Sequence, residues 1–256
     1  MRTKQMVRRR DRILELLTQS ENEISVRKLL EELQVSDETL RKDLVEMERQ
    51  GTILRKHGRI LLADVSADDP LSIRSMQNRG TKERIAREVL NHISYSDECI
   101  GLDVGSTVWY VAKLLAEDRT KIAITNSLEI STLYGQNNNN NIYCTGGMLR
   151  SVDKGFYGYW ACDNLRKVNM GVAVLGTPGI MGRKGLGAIS YDDKELKQIY
   201  VKNSQKTIAV FDSTKCNCTC LIDGAEWEDI DIVISDTAMS EEDRDKIGSR
   251  TRLILV

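Results

Sequence analysis

The chain has 256 residues, 41% hydrophobic and 29% charged, with a formal net charge of −1. This is more than one small module needs, and it leaves room for a second core of about 170 residues. There is no run of about 18 apolar residues to cross a membrane, and the basic N-terminus lacks the apolar stretch of a secretory signal. A cytoplasmic protein is expected, with its six cysteines as reduced thiols rather than a disulfide framework.

Arg8, Arg9, Arg10 and Arg12 lead into Ile13, Leu14, Leu16 and Leu17, a helix whose basic start would lie along phosphates. Val26, Leu29, Leu30 and Leu33 then fall at i, i+3, i+4 and i+7, one buried stripe of a second helix. Ser36 has the side-chain oxygen of an N-cap, and Asp37 and Glu38 suit the positive end of the helix dipole. The third helix repeats Leu40, Leu44 and Met47 on its core face. Glu38, Lys42 and Arg49 point the opposite way, with Arg41 flanking. Gly51 ends that helix, and residues 52–62 read as two short strands around a His57-Gly58 turn. Three helices and a hairpin in this order make a winged helix-turn-helix, whose third helix enters a DNA major groove. A helical hairpin with a solvated charged side would show the same outer face. The charge distribution favours DNA: residues 1–62 carry a formal +3 and the remainder −4.

Residues 63–80 show no sustained period and hold one of the two prolines, so they read as a linker. From Lys82 onward, Ile85, Ala86, Val89, Leu90 and Ile93 mark a helix. Short apolar runs alternating with helical segments follow, which predicts an α/β domain over 81–256 on a mostly parallel sheet. Several runs end in small polar or glycine residues: Asp103-Val104-Gly105-Ser106-Thr107, Thr125-Asn126-Ser127, Thr145-Gly146-Gly147, Gly176-Thr177 and Asp212-Ser213-Thr214-Lys215. In open α/β sheets ligands bind outside the carboxyl ends of the strands, so these residues are candidate walls of one pocket. Gly105, Ser106 and Thr107 open a helix, where backbone N–H groups and the dipole favour an anion. A capped helix without a ligand is the plainer alternative. Gln136 and Asn137–Asn141 form a polar run read as a surface loop. Cys216, Cys218 and Cys220 offer at most three ligands where structural zinc takes four, so no metal is expected.

The span from Arg12 to Leu62 resembles the N-terminal domain of DeoR-family bacterial transcriptional regulators through Val35-Ser36, Thr39, Arg41-Lys42-Asp43-Leu44, Gly51 and Arg55-Lys56-His57-Gly58. Arg41-Lys42 stands where Arg-Arg is usual in that family, and Arg59 where a second glycine is usual. From Lys82 to Val256 the chain resembles the family's effector-sensing domain, similar in fold to ribose-5-phosphate isomerase. The matching residues are Lys82 with Ile85-Ala86, the strand-end motifs above, Gly146-Gly147, Gly185-Leu186, Asp212-Ser213-Thr214-Lys215 and Asp236. Pro178 and the bulky Trp109-Tyr110 depart from the family's pattern.

The resemblance implies a DNA-binding regulator, a repressor of a carbohydrate-utilisation operon controlled by a phosphorylated sugar, without enzymatic activity or cofactor. Its partners would be double-stranded operator DNA, the sugar phosphate and further copies of itself, as a dimer or tetramer, with no membrane. Ser36, Thr39, Arg41, Lys42, Arg55, Lys56 and His57 would contact DNA. The effector would meet Asp103, Gly105, Ser106, Thr107, Thr125, Asn126, Ser127, Gly146, Gly147 and Lys215, with the 105–107 turn and Lys215 on the phosphate and Asp103 accepting from a sugar hydroxyl. Three alternatives stay open on sequence: activation instead of repression, a sugar-phosphate isomerase or deaminase with Asp103 or Glu195 as base, and an architectural DNA binder whose large domain only oligomerises.

Overall fold

The computed structural model describes residues 2–20, 23–49, 52–56, 58–62 and 71–256. Gly51, His57 and residues 63–70 of the expected linker lie outside the described residues. The chain divides into two compact units, residues 1–78 and 79–256.

The N-terminal unit runs α1 (Arg2–Gln19), β1 (Glu23–Ser25), α2 (Val26–Leu33), α3 (Asp37–Arg49), β2 (Ile53–Lys56), β3 (Arg59–Leu62) and α4 (Leu71–Met76). The predicted stripes form its core: Ile13, Leu14, Leu16 and Leu17 of α1 bury against Leu29, Leu40, Leu44 and Met47, with Val26, Leu30 and Leu33 packed alongside. At about 1.5–3 kcal/mol for each fully buried aliphatic side chain, this cluster is the unit's main source of stability. Ser25 caps α2 by accepting from the Lys28 N–H, and Gln34 closes α2 in the left-handed conformation at φ 50°. Ser36 then accepts from the Thr39 N–H at 3.3 Å and starts α3. β2 and β3 form the antiparallel wing, with Gly58 at φ +77° in its turn. β1, unforeseen from sequence, adds a third strand on the far side of β3. The expected linker also needs correction. Residues 71–76 are helical, and the next helix begins at Arg79 rather than Lys82.

The second unit comprises α5 (Arg79–Leu90), β4 (Cys99–Leu102), α6 (Ser106–Leu115), β5 (Ile122–Thr125), α7 (Leu128–Gln136), β6 (Ile142–Cys144), β7 (Met148–Arg150), β8 (Gly155–Tyr157), α8 (Tyr159–Arg166), β9 (Met170–Leu175), β10 (Gly185–Ala188), α9 (Tyr191–Lys202), β11 (Ser204–Val210), β12 (Ile222–Glu226), β13 (Ile232–Ser235), α10 (Glu241–Gly248) and β14 (Arg252–Leu255). Seven strands form one sheet in the order β14-β13-β11-β9-β4-β5-β6, and every pairing in it is parallel. Apolar clusters cover both faces, as a parallel sheet requires. The chain builds outward from β4 through β5 to β6, then returns to the other side of β4 and builds outward again from β9. The strand order therefore reverses between β4 and β9, and their carboxyl ends open a crevice. Two antiparallel pairs, β7–β8 and β10–β12, stand outside the main sheet.

Candidate functional site

On α3 the core residues and the charged residues separate as the spacing predicts. Leu40, Leu44 and Met47 are buried, while Arg41 and Lys42 are exposed. Lys42 donates to Glu38 at 2.7 Å across one helical turn, and Arg41 has no carboxylate partner among the described residues. The Thr39 and Ser36 hydroxyls lie 2.8 Å apart, which ties both to the helix start. Arg55 and Lys56 are exposed on the wing strand, with Arg55 3.7 Å from Glu48. A surface pair of this kind contributes at most about 1 kcal/mol, so a phosphate can recruit these cations cheaply. The basic start of α1 is different. Arg9 and Arg10 turn inward onto Asp43 of α3, at 2.5 and 2.9 Å, and Arg12 pairs with Glu15. The expectation that Arg9 and Arg10 lie along phosphates is corrected: they clamp α1 to α3 through a carboxylate buried on the helix's inner side.

In the second unit the loops that follow β4 and β9 touch. A Cβ placed on Gly105 would lie 3.8 Å from the Gly176 Cα, and one on Gly176 would lie 3.4 Å from the Val104 carbonyl oxygen. The loop after β9 is joined in turn to the turn after β11, because the Ile180 N–H donates to the Lys215 carbonyl at 3.0 Å. Gly179 belongs there for lack of space, since a Cβ would fall 2.1 Å from the Cys218 carbonyl oxygen. The 105–107 turn, Gly176-Thr177 and Lys215 thus form one continuous rim over the switch point. α6 starts behind Gly105 without a side-chain cap, leaving its first N–H groups free of the usual partner. The Ser106 and Thr107 hydroxyls make no hydrogen bond among the described residues, nor does the Lys215 ammonium. Trp109 and Tyr110 pack edge to face at 5.1 Å, so their bulk serves the helix packing.

Beneath this rim lies a buried ionic cluster that the sequence reading missed. Lys197 of α9 donates to Asp103 at 2.5 Å and sits 3.3 Å from Asp193, with all three side chains almost wholly removed from water. Burial pushes the Asp103 carboxyl above its ordinary range, with the Lys197 ammonium pulling the other way. Burial also opposes the Lys197 charge, but Asp103 and Asp193 outweigh it and raise its pKa. The other Asp103 oxygen accepts from the Val104 N–H at 2.7 Å. Asp103 therefore supports the floor of the crevice, and both its oxygens are already engaged. The available sequence signal was that Asp193, Leu196, Lys197 and Tyr200 fall at i, i+3, i+4 and i+7, which puts a charged pair on a core face.

The remaining expected residues divide by role. Thr125 donates to the Leu102 carbonyl at 2.6 Å, and Ser127 caps α7 by accepting from the Ile130 N–H. Asn126 accepts from Tyr200 at 3.1 Å. These side chains hold the ends of β4 and β5 together. Gly146 and Gly147 adopt φ +63° and +114°, and a Cβ on Gly147 would meet the Tyr157 carbonyl oxygen at 2.6 Å. They follow β6, the edge strand, two strands away from the switch point. Nearby, Asp153 accepts from the Arg150 Nε at 3.0 Å and from the Tyr157 hydroxyl at 2.7 Å. Burial raises the Asp153 carboxyl, but Arg150 and Tyr157 outweigh it and hold the pKa below the ordinary range. Burial raises the thiols of Cys216 and Cys220, which disfavours their reactive thiolates.

Residues 9–65 match the DeoR-like helix-turn-helix domain and residues 77–237 match the DeoR C terminal sensor domain. The chain belongs to the DeoR family. It is a transcriptional regulator with a DNA-binding helix-turn-helix and a sensor domain. Relatives include the HTH-type transcriptional regulator GlpR of Haloferax volcanii, 28% identical over 94% of each chain. The glycerol-3-phosphate regulon repressor of Escherichia coli is 29% identical over 89% of this chain and 90% of its own. The HTH-type transcriptional repressor GlcR of Bacillus subtilis is 31% identical over 88% and 86%. Among solved structures, ribose 5-phosphate isomerase A of Methanocaldococcus jannaschii aligns over 55% of each chain at 18% identity, with a TM-score of 0.39. No helix among the described residues is long and apolar enough to cross a membrane.

Proposed function

We propose that this DeoR-family regulator is a cytoplasmic repressor of a carbohydrate-utilisation operon, binding operator DNA as a dimer or tetramer under the control of a phosphorylated sugar. Residues 1–62 would read DNA, with Arg41, Lys42 and Thr39 toward the groove and Arg55 and Lys56 on phosphates. Residues 81–256 would sense the sugar and assemble the oligomer. The observation that carries the sensing half is the rim over the β4/β9 crevice, where uncapped N–H groups and the Ser106 and Thr107 hydroxyls share one loop system with Lys215, all without a side-chain partner among the described residues. An ammonium and a helix N-terminus converging on one anion provide strong charge-assisted contacts. Two of the relatives are named repressors, one of them of a glycerol-3-phosphate regulon, which supports repression and control of phosphorylated-metabolite use.

Binding without turnover fits the carboxylates. Asp103 is closed off from water and bound to Lys197, and Glu195 is exposed on α9 in a pair with Arg166. Neither is a free base facing the rim. A thermal-shift screen of sugar phosphates tests the reading, since a ligand at about 100 times its Kd stabilises by about 2.7 kcal/mol. One sugar phosphate should raise the Tm without being consumed, and Ser106→Ala and Lys215→Ala should abolish the rise. If both variants respond as the wild type does, the phosphate site lies elsewhere. Product formation would mean the domain is an enzyme.

A further inference from the structure

A contiguous apolar face lies at the β6 edge of the sensor domain. Tyr143, Met148, Tyr159 and Trp160 are 64%, 65%, 75% and 73% exposed, and Leu149 is nearly half exposed. The fold brings their segments together. A Cβ on Gly147 would lie 3.1 Å from the Ala161 Cβ, which brings the segment holding Met148 against the start of α8, where Trp160 lies. Asn164 of α8 donates to the Thr145 carbonyl at 2.9 Å, which draws the end of β6 to the same place. In a chain that is 29% charged, neither residues 142–149 nor residues 155–162 contain an Asp, Glu, Lys or Arg. A patch of this size is at the upper end of what soluble monomers expose and commonly marks an interaction site.

We propose that this face docks a second copy of the chain across a two-fold axis, an inference that rests on the proposed pairing of DNA readers. A two-fold interface sets one patch against itself, so any charge near the axis meets its own like. A charge-free face suits that arrangement, whereas a partner of different chemistry would be matched by complementary charge. The area also fits. Aromatic side chains carry about 150–250 Å² each, so three of them largely exposed, with Met148, supply on the order of 500 Å². A stable interface uses about 800 Å² per partner. β6 ends the main sheet with one edge unpaired among the described residues, so nothing in the sheet covers this side. The face adjoins Thr145, Gly146 and Gly147, which puts association beside a loop of the sensor.

The experiment uses the full-length protein at micromolar concentration, with light scattering for mass and acrylamide quenching of Trp160, isolated by comparison with Trp160→Phe. The expected result is a dimer or larger species in which Trp160 is protected. Met148→Glu and Trp160→Glu should associate about 30-fold more weakly or worse, as interface hot spots do, with unchanged far-UV circular dichroism. An associated wild type with Trp160 freely quenched, or a Met148→Glu variant that associates normally, overturns the assignment of this face while leaving the pairing of readers intact. A monomeric wild type overturns the pairing itself. A monomer with Trp160 protected shows that the chain covers its own patch, which also overturns the proposal. Because the quenching is read on the wild type, the result stands even if a glutamate variant fails to fold.

Discussion

On α3, Lys42 and Glu38 meet at 2.7 Å with about three-quarters of each side chain in water, whereas under the β4/β9 crevice Lys197 and Asp103 meet at 2.5 Å with almost none. The two ion pairs involve the same groups at nearly the same distance, yet they do opposite work. The exposed pair costs little to form and little to break, so its lysine is available to an incoming phosphate. The buried pair has paid a large desolvation cost, and removing one partner leaves the other charged in a low-dielectric interior. The α3 pair therefore leaves its charges in water, while the buried pair uses charge to fix the floor of the β4/β9 crevice.

Breaking the buried pair should have the largest effect. Lys197→Met should destabilise the protein by about 3–5 kcal/mol, measured by denaturant unfolding, because Asp103 and Asp193 lose their shared counter-ion. A loss below about 1 kcal/mol would mean the cluster is not holding the sheet ends and α9 together. The second effect concerns Asp153, which Arg150 and Tyr157 hold ionised. Asp153→Asn should cost about 1.5–3 kcal/mol at neutral pH, the scale of hydrogen bonds to a charged group. The sign follows from the lowered pKa: ionisation stabilises the fold above the unfolded value of about 3.9, and that stability is lost as pH falls through the folded value. The gap between wild type and variant should hold steady from about pH 8 to 5 and close at lower pH. A gap that does not change with pH would remove the carboxylate from this account.

The exposed side sharpens the contrast. Arg41→Ala and Lys42→Ala should each cost about 1–3 kcal/mol in affinity for a duplex selected by the wild-type protein. Their folding stability should shift by no more than about 0.5 kcal/mol, as expected for surface positions. A gel shift at fixed salt and a urea melt on the same preparations give both numbers. Unchanged affinity in both variants would take the third helix out of the major groove.

The same contrast explains what the sequence disclosed. Apolar patterning located α1, α2 and α3 through their buried stripes, and the sheet strands β4, β5, β9 and β11 as apolar runs buried on both faces. It missed β1, β7, β8, β10 and β12, which pair outside the main sheet. Charge was the weakest guide. Arg9 and Arg10 looked like a phosphate-facing surface, but Asp43 draws them inward. The Lys197 pairing carries no signal in the local sequence, because its partner Asp103 lies 94 residues away. The asparagine run looked like idle loop, yet Asn139 is buried and donates to the Ala116 carbonyl at 3.0 Å, and Asn141 donates to the Arg119 carbonyl at 2.7 Å. Such pairings are set by tertiary contact, which leaves no local period to read. The glycines at the strand ends were legible as special positions. Whether they meet a ligand or a neighbouring backbone became visible only in the fold, as with Gly179 against Cys218.

The proposed coupling of the DNA reader to the sensor rim through a sugar phosphate is tested most directly by fluorescence anisotropy of a selected duplex. The duplex is titrated with wild-type protein in the presence and absence of the sugar phosphate that gives the thermal shift. The ligand should change duplex affinity by about 5–150-fold, and the duplex should change ligand affinity by the same factor, because binding linkage is reciprocal. Ser106→Ala should bind the duplex normally and show no response. A sugar phosphate that binds tightly and leaves duplex affinity unchanged would contradict the account.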